Sequence, residues 1–274
     1  MLKNALVNNV NNRIGFAIAK ALADYDVKVY ALTCEKHEQL DTDNIKIVSI
    51  SMYDDITINN VVKQILEEIS TNNKNNHISN DNNIDILVNV PFYAQIGMLE
   101  DLNVDDFIAQ FNANLFNTIR LIKAIVPVMK KHCRGLIVNI GSLAGIVGFP
   151  GISAYSSSMF ALEGLTECLR YELMNYGIHT VIVEPGAVKS DKALIKLSNN
   201  SNNPSFESIY NGLMHLIEHG LDAEDIANTV VSIVKSGKPR LRYIVGEHAF
   251  VMLDAKRSMS EDEFEELVRK DVGF

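Results

Sequence analysis

The chain has 274 residues, 47% of them hydrophobic and 22% charged, enough apolar material to bury one large core. Its 34 acidic against 25 basic residues leave a formal charge of −9, and no Lys/Arg cluster stands out, which argues against nucleic acid as a partner. Cys34, Cys133 and Cys168 lie far apart without CxxC or Cys/His spacing, so neither a zinc site nor a disulfide framework is expected, only reduced and mostly packed thiols.

Short apolar runs alternate with longer segments of helical period. In chain order, strands are expected at Asn4–Asn8, Lys28–Leu32, Lys46–Ile50, Ile84–Asn89, Gly135–Ile140, His179–Glu184 and Leu241–Val245. Helices are expected at Ile14–Asp24, Asp55–Ser70, Asn103–Lys131, Ala154–Tyr176, Phe206–His219, Ala223–Ser236 and Glu261–Lys270. Repeated βα units of this kind predict an α/β fold: a single Rossmann-type, doubly wound parallel sheet of about seven strands with helices on both faces, spanning residues 1–274 as one domain. Asn72 to Asn83 reads NNKNNHISNDNN, too polar to pack a core, and is expected to be a mobile surface insertion. No apolar run is long enough to span a bilayer, and the N-terminus enters a strand with no cleavable apolar segment before it; a soluble, cytoplasmic protein is expected.

The first βα turn of such a fold uses glycines for a tight turn, for approach of backbone to pyrophosphate, and for packing of helix on strand. Here it reads Val7-Asn8-Asn9-Val10-Asn11-Asn12-Arg13-Ile14-Gly15. Gly15 supplies the packing glycine. Asn9 stands at the tight turn, where Asn tolerates positive φ better than most residues. Arg13 stands where backbone should meet phosphate, either as a solvated surface arginine or as a new anion contact.

Set against TGxxxGIG, this turn resembles that of the short-chain dehydrogenase/reductase family, with Asn8, Asn9 and Arg13 in place of Thr and two glycines and with Ile14 and Gly15 matching. The resemblance continues along nearly the whole chain. Asp85 to Asn89 is similar to the fourth strand, followed by Val90-Pro91-Phe92 in place of the rest of NNAG. Asn114 matches the structural Asn, Ser142 the Ser, and Tyr155 follows at the family's spacing. Met159 stands at the Lys of YxxxK. Pro185-Gly186 with Val188 and Ser190 resembles the loop beside the nicotinamide. Ser51 replaces the Asp that contacts adenine, and Thr33-Cys34-Glu35 offers neither a ribose-binding acid in register nor a phosphate-binding Arg. Lys238 to Tyr243 and Phe264 to Phe274 are similar to the branch with 17β-hydroxysteroid and retinol dehydrogenases.

The resemblance implies a catalytic set of Asn114, Ser142 and Tyr155, with Met159 in place of Lys. It implies an NAD(P) site, if any dinucleotide binds, at Asn9, Arg13, Ile14, Gly15, Asn89, Pro185, Gly186, Val188 and Ser190, with no metal. It further implies a small-molecule ligand, a roof over residues 192–220, and a homodimer or homotetramer through the two long helices. Residues 206–216 are either an apolar lid or the packed face of a helix. In the family, Lys holds the nicotinamide ribose and lowers the Tyr pKa from one helical turn away; Met159 keeps the length and loses the charge. Three readings follow: a member that no longer transfers hydride and serves a binding, regulatory or assembly role; an NAD(P)-dependent oxidoreductase with an unusual cofactor site; or a redox-neutral acid–base enzyme using Ser142 and Tyr155.

Overall fold

The computed structural model describes residues 2–34, 43–50, 54–75, 82–91, 93–189, 195–197 and 204–273. Seven strands pair in parallel: β1 (Asn4–Val7), β2 (Lys28–Thr33), β3 (Ile45–Ser49), β4 (Ile86–Asn89), β6 (Gly135–Ile140), β7 (Ile178–Pro185) and β9 (Arg242–Val245). Their spatial order is β3-β2-β1-β4-β6-β7-β9. The chain first builds outward from β1 and then returns to place β4 beside it, so the sequence reverses direction between those strands. In open parallel sheets that switch point opens a crevice at the strand C-termini.

Alternation along each strand sends side chains to opposite faces. Ala5 and Val7, Ile86 and Val88, and Val181 and Val183 join one apolar cluster with α1 (Arg13–Asp24) and α7 (Ala223–Ser236). Leu6, Leu87 and Ile137 point the other way, into a cluster with α2 (Asp55–Asn75) and α4 (Asn117–His132). Both faces are covered, which is why these strands read as continuous apolar runs. The remaining elements are β5 (Ala94–Ile96), α3 (Val104–Phe111), α5 (Ser153–Leu173), β8 (Ile195–Leu197), α6 (Pro204–Glu218), α8 (Glu247–Ser258) and α9 (Glu261–Asp271).

The structure corrects several expectations. The helix drawn over Asn103–Lys131 is interrupted by one π-helical segment, Asn112–Phe116, a local widening that periodicity does not reveal. Helix α8 and the two-stranded parallel pairing of β5 with β8 were not foreseen. The three cysteines are free and exposed, not packed. The Asn-rich run is not wholly a surface insertion: residues 72–75 continue α2, and Asn83 is fully buried. Asn83 Nδ2 donates to Asp85 Oδ1 at 2.8 Å and to the Arg134 carbonyl at 3.2 Å. Asp85 in turn accepts from Lys3 N at 2.7 Å and pairs with Arg134. A buried carboxylate is tolerated when its lone pairs are filled in this way, and here it ties the starts of β1, β4 and β6 together. Positions 76–81 of that run, Glu35, Ser51, Phe92, Ser190, and positions 192–194 and 198–203 of the roof lie outside the described residues.

Candidate active site

Strand β6 ends at Ile140, and Gly141 N still donates to Val183 O at 2.7 Å, so the chain leaves the sheet in register with β7. Ser142 follows in extended conformation and caps a short 3-10 turn, Leu143–Gly145, its Oγ accepting from Ala144 N at 3.1 Å. Gly145 lets this turn lie against α5: a Cβ there would stand 3.0 Å from the Met159 carbonyl oxygen. The close approach brings Ser142 beside Tyr155 in the first turn of α5, and both line one cavity. Burial pushes the Tyr155 phenol above its ordinary pKa, and the Ser142 hydroxyl opposes that only in part.

These two residues line a cavity of about 160 Å³ at the C-terminal edge of the sheet. The lining also includes Ile14 of α1, Pro91 after β4, Pro185 at the end of β7, and Gly186 and Val188 beyond it. Leu213, Leu216 and Ile217 of α6 form the roof. In this stretch Phe206, Ile209 and Leu213 pack into a cluster with Ile96 and Ile152, and Leu213 also belongs to the cavity wall.

The other candidate residues support the cavity from outside. Asn114 is fully buried in the π-helical segment and grips the backbone of Tyr93, Nδ2 donating to its carbonyl at 2.9 Å and Oδ1 accepting from its N at 3.2 Å. Asn89 is fully buried, its Nδ2 donating to Asn139 Oδ1 at 2.8 Å; Asn139 continues to Thr166 of α5. Neither Asn89 nor Asn114 lines the cavity. Met159 is 1% exposed in a cluster with Leu115, Leu162 and Ile182, against which Tyr155 packs.

The comparisons with known proteins fall on this same arrangement. Residues 3–199 match the family model described as short chain dehydrogenase. The chain belongs to the short-chain dehydrogenase family. It is 35% identical over 173 residues to the uncharacterized oxidoreductase YusZ of Bacillus subtilis, a match covering 60% of this chain and 62% of that protein. It is 29% identical to human 17-beta-hydroxysteroid dehydrogenase type 1, covering 62% of this chain and 55% of that enzyme. A solved short-chain dehydrogenase from Streptomyces avermitilis superposes with a TM-score of 0.81 at 27% identity, covering 98% of both chains.

For a short-chain dehydrogenase the first turn is unusual in its chemistry and ordinary in its path. Asn9 adopts the left-handed conformation, φ 51°, at the place of a glycine. Its Nδ2 donates to the Val90 carbonyl at 2.6 Å, while Asn8 Oδ1 accepts from Val90 N at 2.5 Å. Asn12 caps α1, accepting from Gly15 N at 2.8 Å. Gly15 allows α1 to approach the turn, since a Cβ would lie 2.5 Å from the Asn9 carbonyl oxygen. Arg13 is exposed at the start of α1, and neither it nor Asn9 or Gly15 lines the cavity. Among the described residues no group of His, Cys, Asp and Glu could hold a metal ion, and no helix is long and apolar enough to cross a membrane.

Among the lining residues that sequence reasoning did not name, one is a histidine. His248, in the first turn of α8, faces the cavity, and its Nε2 contacts both carboxylate oxygens of Asp271. The signal available was positional: Gly246-Glu247-His248 follows directly on a strand, where parallel sheets present their ligand-binding loops.

Proposed function

We propose that this chain uses the short-chain dehydrogenase scaffold to bind a small, largely apolar carbonyl or hydroxyl compound at Ser142 and Tyr155, with NAD(P)-dependent hydride transfer lost or strongly reduced. The observation that carries this is Met159: at the place of the family's lysine stands an apolar side chain, 1% exposed among Leu115, Leu162 and Ile182. No cation there favours the phenolate, and Tyr155 is held protonated by burial. It serves as a hydrogen-bond donor to a ligand oxygen, with Ser142 beside it.

The first turn supports the same reading. A dinucleotide brings a pyrophosphate, which takes backbone N–H groups at a helix N-terminus or cationic side chains. At α1 the Gly15 N–H is already held by Asn12, and no Lys or Arg is among the lining residues described. Asn8 and Asn9 fasten the turn to Val90, and Pro91 adds bulk where the family has a small residue. These residues do not fit the group. The polar residues Ser142 and Tyr155, by contrast, suit a ligand oxygen in a largely apolar cavity.

The test is oxidation of NADPH and NADH by purified protein across a panel of ketones and aldehydes, with Met159→Lys alongside. No turnover by the natural protein is expected; turnover that disappears in Tyr155→Phe overturns the proposal. That opposite outcome is the second reading, an oxidoreductase with an unusual cofactor site, favoured by the retained loop Pro185-Gly186 in the cavity wall. Redox-neutral acid–base work by Ser142 and Tyr155 is compatible with the first reading. The exposed apolar side chains of the helical layer, Val104, Ile108, Phe116 and Phe160, support a homodimer or homotetramer.

A further inference from the structure

Among the described residues, the buried polar side-chain atoms of the cavity wall have partners, with one exception. Tyr93 donates its hydroxyl to Gln95 at 2.9 Å, and Ser142 Oγ accepts from Ala144 N at 3.1 Å. His248 is the exception: its Nδ1 is shielded from bulk water and has no partner.

The other ring nitrogen is fixed. Nε2 lies 3.0 and 3.1 Å from the two carboxylate oxygens of Asp271. A carboxylate only accepts, so Nε2 carries a hydrogen, and in the neutral ring Nδ1 is then a lone-pair acceptor.

Position gives this acceptor its meaning. Gly246, at φ 93°, turns the chain out of β9 and sets His248 beside Gly186, where a Cβ would lie 3.6 Å from Nδ1. Asp271 is the last residue of α9. The next residue, Val272, is fully buried with Phe206, Ile209 and Leu213, and Ser208 donates to the Gly273 carbonyl. One short segment therefore both orients His248 and anchors α6, the roof of the cavity.

We infer that His248, oriented by Asp271, is a specificity-determining residue: its Nδ1 accepts a hydrogen bond from a ligand hydroxyl while a second ligand oxygen lies at Ser142 and Tyr155. The ligand class is an apolar body carrying two oxygens, a hydroxyketone or a diol. This rests on the binding role proposed above for the cavity. A ligand that supplies the missing donor replaces an unpaired buried acceptor by a paired one, which a ligand without the hydroxyl cannot do.

The probes are cyclohexanone and its 2-, 3- and 4-hydroxy derivatives, titrated by NMR into protein labelled with 15N at histidine. At least one hydroxyketone is expected to bind roughly tenfold more tightly than cyclohexanone, the contribution of one such hydrogen bond. It should move the His248 Nδ1 resonance, which cyclohexanone leaves in place. His248→Phe should abolish the preference for the hydroxyketone over cyclohexanone, and Asp271→Ala should weaken it while leaving the imidazole present. Equal binding of all four probes, a preference that survives His248→Phe, or an unmoved Nδ1 resonance overturns the inference. If cyclohexanone still binds and needs Tyr155, the cavity reading stands without His248; if no probe binds, both fall.

Discussion

The two ends of the crevice preserve different things. At the β1–β4 end, Gly15 keeps the close approach of helix to turn, yet Asn8, Asn9 and Asn12 direct their hydrogen bonds to the protein's own backbone at Val90 and Gly15. At the β6–β7 end, Gly145 keeps the equivalent close approach of turn to helix, and Ser142, Tyr155 and Gly186 still face an open cavity. Glycines permit close packing in both regions, while the hydroxyl groups lining the cavity beside β6, Ser142 and Tyr155, have no counterpart among the lining residues Ile14 and Pro91.

The comparison is broken most severely by attacking a packing glycine. Gly15→Val puts a side chain against the Asn9 carbonyl, backbone that cannot give way, and should cost at least about 3 kcal/mol in denaturant unfolding. A loss below about 1 kcal/mol would show that the approach of helix to turn is not under packing constraint. Met159→Lys is expected to destabilise by about 2–3 kcal/mol, because an ammonium enters an apolar cluster. The same variant should lower the Tyr155 titration, seen as phenolate absorbance absent from the Tyr155→Phe control. An unshifted titration would mean that position 159 does not govern Tyr155.

A third effect concerns the sheet edge behind the site. Glu184 is fully buried on β7 beside Glu163, which together with Glu167 pairs with Arg242. Burial first, and Glu163 second, push the Glu184 pKa from 4.5 up to about 8. Between those values the folded chain keeps a proton that the unfolded chain has released. Stability from this group is therefore complete below pH 4.5 and is lost as pH rises to about 8. Glu184→Gln should flatten that slope in thermal unfolding across the same range; an unchanged slope would place the titration elsewhere. Smallest is Asn9→Gly, which relieves a left-handed backbone but loses the bond to Val90. The two nearly cancel, leaving a net change within about 1 kcal/mol by the same unfolding measurement.

Much of this was legible in sequence because it depends on local pattern. The seven strands follow from apolar runs, and Ser142 and Tyr155 from their spacing on a family pattern that the structure brings together. What was not legible depends on contacts distant in sequence. Asn83 reads as part of a polar run and is buried only because Asp85 and Arg134 meet it. Asn89 and Asn114 read as site residues but support the wall from behind, since a strand's alternation does not say which loop its end will hold. His248 lies 23 residues from Asp271, and nothing in either segment announces the other.

The most direct test of the central claim is calorimetric titration of NADH and NADPH into the natural protein, with the Arg13→Gly/Met159→Lys double variant in parallel. No heat of binding at millimolar nucleotide, with measurable binding restored in the variant, is the predicted result; micromolar affinity of the natural protein for either nucleotide would contradict it.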